Sequence, residues 1–381
     1  MTSTSQNIRS RNISSSRKSD LWIAIIALVA ALLFPLVDPG NYVLSQATLF
    51  FIWATVVTQW NLVFGIAGII TLGHMAVFAV GAYTTAMLGL YLGWSPWATL
   101  PFAAVAAVIA SLLMGAATLR LRGPYIAVMT LAIAQAVYSL IMTDVECFSM
   151  VNGCQNLTGG ARGLFNYGDF GFNKLLGFKY RTFGDYYLSL ALLVVGMIVA
   201  FLITYSALGA TFRALRDNRI CAEARGVDRV YYQFVVFGAA GFCTGLAGAV
   251  YAGIQRTIGP DVLSIPLLLF ILSMMIVGGR GTRWGPILGA ATLMLADTVL
   301  RDFPEYRNAA LALFILCAMI FLPRGVAGLV GDIAHWRPSD EPKELQSHRI
   351  PQATLKKQKK HGQELAGAAS MAAPLQKGGA Q

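Results

Sequence analysis

Runs of apolar residues recur along the chain near 21–37, 43–64, 66–92, 97–119, 124–142, 187–207, 230–254, 264–279, 285–300 and 308–323. Most are long enough, at about 1.5 Å per helical residue, to cross roughly 30 Å of hydrocarbon. The pattern predicts an all-α integral membrane protein, a polytopic bundle of roughly ten transmembrane helices with glycine-broken segments. Because several runs are short, roughly eight to eleven crossings are compatible with it. A polar N-terminal tail at 1–20 and a polar tail at 332–381 flank a membrane domain at 21–331, whose main loops are 143–186 and 209–229.

The chain is 56% hydrophobic and only 12% charged, where an ordinary soluble domain carries about 25% charged residues. Its net charge of +11 would suggest nucleic acid in a soluble protein, but here the distribution follows the positive-inside rule. With ten crossings and both termini cytoplasmic, 22 of the 29 Lys and Arg fall inside. They occupy the N-tail, the turn at Arg120 and Arg122, the loop 209–229, the turn at Arg280 and Arg283, and the chain beyond Phe321. Of the seven left outside, four (Arg162, Lys174, Lys179 and Arg181) lie in the long loop 143–186, which the rule weights lightly. The basic balance therefore reports orientation and gives no nucleic-acid signal.

The first apolar run follows a polar, Arg-bearing segment and ends in PLVDPG without a small-residue cleavage signature, so it reads as an uncleaved signal anchor. The tail beyond Trp336, with KKQKKHGQ, reads as a disordered cytosolic extension. Of five cysteines, Cys147 and Cys154 are seven apart in the external loop, where an oxidising compartment would bridge them; two free thiols is the alternative. Cys221, Cys243 and Cys317 have no metal-ligand spacing, and the external sequon Asn156-Leu-Thr158 matters only in a glycosylating host.

Candidate chemistry is sparse at membrane depth. In NLVFGIAGIITLGHMAVFAVGAYTTAML (61–88), Gly65, Gly68, Gly73 and Gly81 interrupt what would be a helix. Either they let helices pack closely, or they break the segment where protein or a water-filled path surrounds it. His74 lies within this cluster, either facing a pathway or serving structure through a hydrogen bond. In LRLRGPYIAVMTLAIAQAV (119–137), Gly123-Pro124 starts a helix on which Tyr125, Thr130 and Gln135 either line a path or bond to neighbouring helices. Asn61, Gly73, His74, Tyr125 and Thr130 form the candidate pathway set, and Asp297 is a pathway or packing acid. LTGGARGL at 157–164 makes a flexible or tightly turned element, Gly238, Gly241, Gly245 and Gly248 line one helix, and GGRGTRWGPILGA at 278–290 forms a cytoplasmic turn entering a packed helix.

The densest charge in the membrane domain is GATFRALRDNRICAEARGVDR, Gly209–Arg229, with five arginines and three acids in 21 residues. The i,i+4 pairs Arg213–Asp217 and Arg219–Glu223 would hold one or two helical turns in water, each contributing only about 0.2–0.5 kcal/mol. Such an island either receives a soluble partner or only enforces orientation and binds anionic headgroups.

Six segments occur in one order: GIAGIITLGHMAVFAVGAY, LRLRGPYIAVMTLA, LTGGARGL, the charged island, VGGRGTRWGPILGA and FLPRGVAGL. In this combination the chain resembles the Liv-type permease family of ABC importers for branched-chain amino acids, in particular the M-type member of the permease pair, over roughly residues 40–331. Thr71 stands where a serine is usual, and the loop at 143–156 and the long tail are departures from the pattern. The resemblance implies a permease subunit in a bacterial plasma (inner) membrane, paired with a second permease subunit, two ATPase subunits and an external or periplasmic substrate-binding protein. It also implies that Gly209–Arg229 holds the coupling helix docked in the ATPase, with Ala222-Glu223-Ala224 and Gly226 as a shortened EAA-type signature. Arg213, Arg216, Asp217 and Arg219 join these as candidate coupling residues.

The chain itself has no G-x-x-x-x-G-K-[ST] and no Gly-Lys dipeptide, so no cofactor is expected on it, and ATP and Mg belong on the partner ATPases. It also lacks G-x-S-x-G and H-E-x-x-H, which argues against an enzyme. The low charge of the membrane region suits a neutral or zwitterionic cargo such as a branched-chain amino acid. A permease for urea or short-chain amides is the alternative cargo, and an ion-coupled secondary transporter using His74 or Asp297 is the alternative class.

Overall fold

The computed structural model describes residues 22–37, 40–121, 123–144, 156–172, 181–301, 306–321 and 325–328. Cys147, Cys154, the tail 1–20 and the tail 332–381 lie outside the described residues. All ten expected runs hold an apolar helix. They are α1 (Trp22–Leu36), α2 (Asn41–Asn61), α3 (His74–Leu92), α4 (Pro96–Thr118), α5 (Pro124–Met142), α6 (Arg181–Tyr205), α9 (Arg229–Gln255), α10 (Ile265–Gly278), α11 (Gly285–Leu300) and α12 (Arg307–Phe321). Between α6 and α9, α7 (Ala207–Asp217) and α8 (Arg219–Ala224) are short and polar. Among the described residues, seven helical segments are long and apolar enough to cross a membrane, while α1, α10 and α11 are shorter apolar helices. The chain is an all-α polytopic membrane protein.

Local sequence sets the helix ends. Prolines open α4, α5, α10 and α11 within their first two positions, where the missing N–H has no partner to lose. Thr48, Thr55 and Thr58 on α2 satisfy their hydroxyls by donating to carbonyls four residues back, so they sit in an apolar core without an unpaired donor. Among the described residues α6 runs from Arg181, six residues before the apolar run, and Arg181 and Asp185 make an i,i+4 ion pair at 3.6 Å there.

The core is built around α2 and α9. The helix α9 packs against α2, α3 and α4, and α2 packs also against α6 and α11. Small residues set the approach of α3 to α9: a Cβ at Gly81 would run into the Gly245 backbone, and one at Gly248 into the Phe78 carbonyl. The helices α10 and α11 form a short hairpin in which Gly278 and Gly289 lie backbone to backbone.

The expected run 66–92 is not one helix. After α2 the chain makes a π turn at Leu62–Ile66, marked by Ala67 N–H donating to the Leu62 carbonyl at 3.0 Å, and α3 starts only at His74. Gly68, at φ +72°, takes the left-handed turn that ends helical geometry. The glycines thus serve both readings, with Gly65 and Gly68 at a break and Gly81 in close helix packing.

Connections sort into two sets by their contacts. Asn61 bonds to Thr282, Arg216 to Gly65, Arg229 to Leu119 and Arg283 to Tyr205 at one end of the bundle. At the other, Tyr91 bonds to Asn156, Trp97 to Phe170 and Arg301 to Tyr42, and β1 (Leu164–Phe165) pairs antiparallel with β2 (Thr257–Ile258). Successive connections between α2 and α11 thus alternate between the two ends of the bundle.

Candidate coupling and translocation site

The island Gly209–Arg229 folds as two helices rather than one or two isolated turns. The helix α7 is amphipathic: Gly209 and Phe212 are buried, and Phe212 meets Tyr232 of α9 edge to face at 6.0 Å, while Arg213, Ala214, Arg216 and Asp217 are exposed. Asn218 ends α7 in extended backbone, and its side chain accepts from Cys221 N–H at 3.1 Å to cap α8. In α8, Arg219 and Glu223 pair at 2.7 Å as the spacing predicts. Ala222 points inward, whereas Ile220 is 80% exposed and Glu223 and Ala224 are exposed beside it. Gly226, at φ +85°, closes the helix with its N–H on the Glu223 carbonyl at 3.0 Å, and Asp228 then caps α9.

The second predicted pair does not form. Asp217 is the last residue of α7 and is taken by its neighbour Arg216 at 3.2 Å, while Arg213 turns back to the Thr204 carbonyl at 3.5 Å, freed by the end of α6. A helix end leaves its last carbonyls unpaired, and a nearby guanidinium satisfies one of them.

Four of the five pathway candidates gather around the break at 62–73. Asn61, 3% exposed, accepts from Gly281 N–H at 2.7 Å and donates to the Thr282 carbonyl at 2.9 Å, so α2 is tied to the α10–α11 turn. Thr130 of α5 accepts from Leu72 N–H at 2.9 Å, and Gly73 sits where a Cβ would meet Met114 and the Thr130 carbonyl. His74 is buried, shares a 2.7 Å hydrogen bond with Thr244 of α9, and stacks on Trp60 with ring centroids 5.7 Å apart. Trp60 in turn donates to the Thr71 carbonyl at 2.9 Å, satisfying backbone that the break leaves without helical partners. Tyr125 stands apart, 72% exposed on the first turn of α5. A narrow cavity lies beside this cluster between α2 and α6, bounded by Thr58, Asn61, Thr204, Thr282 and Arg283. Trp60, Thr244 and Gly281 went unflagged as partners; no local pattern ties Thr244 to His74 across 170 positions.

Asp297 is a packing acid in this structure. Both its carboxylate oxygens accept from Arg307, at 2.7–2.9 Å, and Arg301 lies 3.7 Å away. With the arginine about a third exposed, screening keeps the pair's coupling near about 1 kcal/mol. In a double-mutant cycle, Asp297→Ala and Arg307→Ala should each lower the thermal stability of the detergent-solubilised protein, and the double variant should fall by less than the sum. Strict additivity would show that the pair contributes nothing.

At the opposite end, the glycine-rich loop is tightly turned. Thr158 N–H and Oγ1 both donate to Asp144 Oδ2, at 2.5 and 2.6 Å, and Gly159, Gly160 and Gly163 all have positive φ. Arg256 pairs with Asp169, and the Tyr167 hydroxyl donates to the Ala252 carbonyl at 2.9 Å. Burial pushes the Tyr167 phenol far above its ordinary pKa, so it remains a donor.

Residues 42–323 match the family model described as the branched-chain amino acid transport system / permease component. The chain belongs to that family. Similar proteins include the high-affinity branched-chain amino acid transport system permease protein LivM of Salmonella typhimurium strain LT2, 28% identical over 82% of this chain and 76% of that protein. LivM of Escherichia coli strain K12 is 29% identical over 80% of this chain and 73% of its own length. The autoinducer 2 import system permease protein LsrC of Photorhabdus luminescens is 29% identical over 34% of this chain and 41% of its own length. No solved structure matches the chain. Membership accounts for the fold class and for transport as the family activity; similarity to both LivM and LsrC means that it does not fix the cargo.

Proposed function

We propose that this chain is the transmembrane permease subunit of an ABC importer that moves branched-chain or other neutral amino acids inward, energised by separate ATPase subunits. One observation carries the energetic half of the reading. The helix α8 turns Ala222 inward and presents Ile220, 80% exposed, beside Glu223 and Ala224 outside the apolar spans. A partner surface covering Ile220 would remove that apolar side chain from water, a gain of about 1.5–3 kcal/mol on full burial. The end carrying Arg213, Arg216, Arg219, Arg225 and Arg229 is the cytoplasmic one under the positive-inside rule, and it places both termini there as well.

In this reading Arg213, Arg216, Asp217, Arg219, Ala222, Glu223, Ala224 and Gly226 belong to the coupling segment. ATP and Mg are held by the ATPase partners, and a substrate-binding protein meets the opposite end near 156–172. A second permease subunit faces this one across the path, in a bacterial inner membrane. The cluster of Asn61, Gly73, His74 and Thr130 supports that path from within the subunit, and Tyr125 is available to a neighbour. ATP-driven closure of the ATPases shifts the bundle between inward- and outward-facing states through differential affinity for the two. An ion-coupled mechanism has less support, because its two candidate coupling groups are engaged, His74 with Thr244 and Asp297 with Arg307.

The test is uptake into proteoliposomes holding this chain with its permease, ATPase and binding-protein partners, using labelled leucine and labelled urea. Leucine uptake that disappears with an ATPase-dead partner and ignores uncouplers is expected. Uptake of urea alone would overturn the cargo, and uptake indifferent to the dead ATPase would overturn the energy source.

A further inference from the structure

Arg216 connects the charged island directly to the membrane bundle. Its Nη1 donates to the Gly65 carbonyl at 2.8 Å, in the π turn that ends α2. Its aliphatic stem lies on Gly68, so closely that a Cβ there would collide with it, and its Nε is 3.2 Å from Asp217. The same Gly65 borders Gly281, whose N–H is held by Asn61. One guanidinium thus reaches from α7 into the joint between α2 and α3, at the point where the α10–α11 turn is also fastened.

Other contacts also seat α7: Arg213 donates to the Thr204 carbonyl, and a Cβ at Gly209 would meet the Ile203 and Thr204 carbonyls. Ser206 alone separates it from α6, and Asn218 and the Gly226 turn separate it from α9. Phe212 is buried in the core against Tyr232, an apolar contact without the directionality of a hydrogen bond. A charge-assisted hydrogen bond to a carbonyl is directional, and the planar fork of arginine holds it better than a flexible ammonium. A π turn followed by a left-handed glycine is a place where two helices can change their angle without breaking a helical interior.

We propose that Arg216 is a positioning residue that makes α7 and the Gly65–Gly68 joint move as one unit, delivering displacement of the docking segment to the α2–α3 angle. This rests on the reading of the island as the ATPase docking segment.

The test uses the assembled transporter in proteoliposomes and measures ATP hydrolysed and amino acid taken up in the same sample. Arg216→Met keeps the stem over Gly68 and removes the donor. It should lower the amino acid taken up per ATP hydrolysed by about tenfold, within the range of coupling free energies. Arg216→Lys should recover part of that ratio. An unchanged ratio, or equal losses in both rates, would overturn the proposal by reducing Arg216 to a stabilising contact. If Arg216→Met does not assemble, spin labels at the exposed positions Ile70 and Ala214 of an otherwise unmodified, cysteine-free chain report the unit directly. Their separation should stay constant when ADP–vanadate traps the ATPases, while the distance from Ala214 to a label at Arg162 changes; a changing 70–214 distance would overturn the proposal. Normal coupling in a Glu223→Lys, Gly226→Trp variant would instead sink the docking reading itself.

Discussion

Glu223→Lys combined with Gly226→Trp abolishes ATP-coupled uptake while the chain still inserts and assembles. Glu223 is exposed and holds Arg219, so reversal both breaks that pair and puts a second cation into a short helix already flanked by Arg225. At Gly226 there is room, since nothing lies within 4 Å of where a Cβ would sit, but φ is +85°. Any L side chain there is strained by about 1–2 kcal/mol, and the indole would stand on the face that α8 offers outward. Together the changes should cost at least about 100-fold in uptake, equivalent to about 2.7 kcal/mol of coupling. Both positions lie outside the apolar spans, so membrane levels should be unchanged. Unaltered uptake at unaltered protein level would refute docking through α8.

The second large effect is on stability. Asn61→Leu keeps the branched shape of the side chain but leaves the half-buried Gly281 N–H and Thr282 carbonyl without their partner. Each unpaired buried group costs about 1–3 kcal/mol, so the variant should lose roughly 2–5 kcal/mol, a large share of the 5–15 kcal/mol that holds an ordinary domain folded. Thermal unfolding in detergent reads this as a clear drop in the midpoint, and Asn61→Asp, which still accepts from Gly281 but cannot donate, should fall between the two. A midpoint equal to that of the unmodified protein would mean that water or a rearranged turn satisfies these groups.

Much of this architecture is legible in the sequence because lipid writes it there. Burial in hydrocarbon demands apolar length, and among the described residues all ten runs hold an apolar helix, seven of them within segments of spanning length. The break before His74 was visible only as an ambiguity, since Gly65 at a π turn and Gly81 in a helix seam look alike until their neighbours are known. Local pairing was readable at Arg219 and Glu223, where α8 continues to Ala224, and misleading at Arg213 and Asp217, where α7 stops at Asp217. The long-range contacts had no local signal. Arg216 reads as one surface arginine among five, and only the fold brings it to a carbonyl 151 residues earlier. Likewise, nothing local distinguishes an Asn61 that lines a path from one that fastens a turn.

The pairing of Leu164 with Ile258 carries a consequence for biogenesis. Residues 156–172 emerge from the ribosome well before Thr257 and Ile258, with α6 through α9 still to be made. At about 5–20 residues per second the loop waits on the order of ten seconds for its partner strand. Throughout that interval Asp169 lacks Arg256, the Tyr167 hydroxyl lacks the Ala252 carbonyl, and the Trp97–Phe170 contact has no α9 behind it. A nascent chain stalled before Gln255 would therefore present this loop open to protease, and the same loop would become resistant only once α9 had crossed.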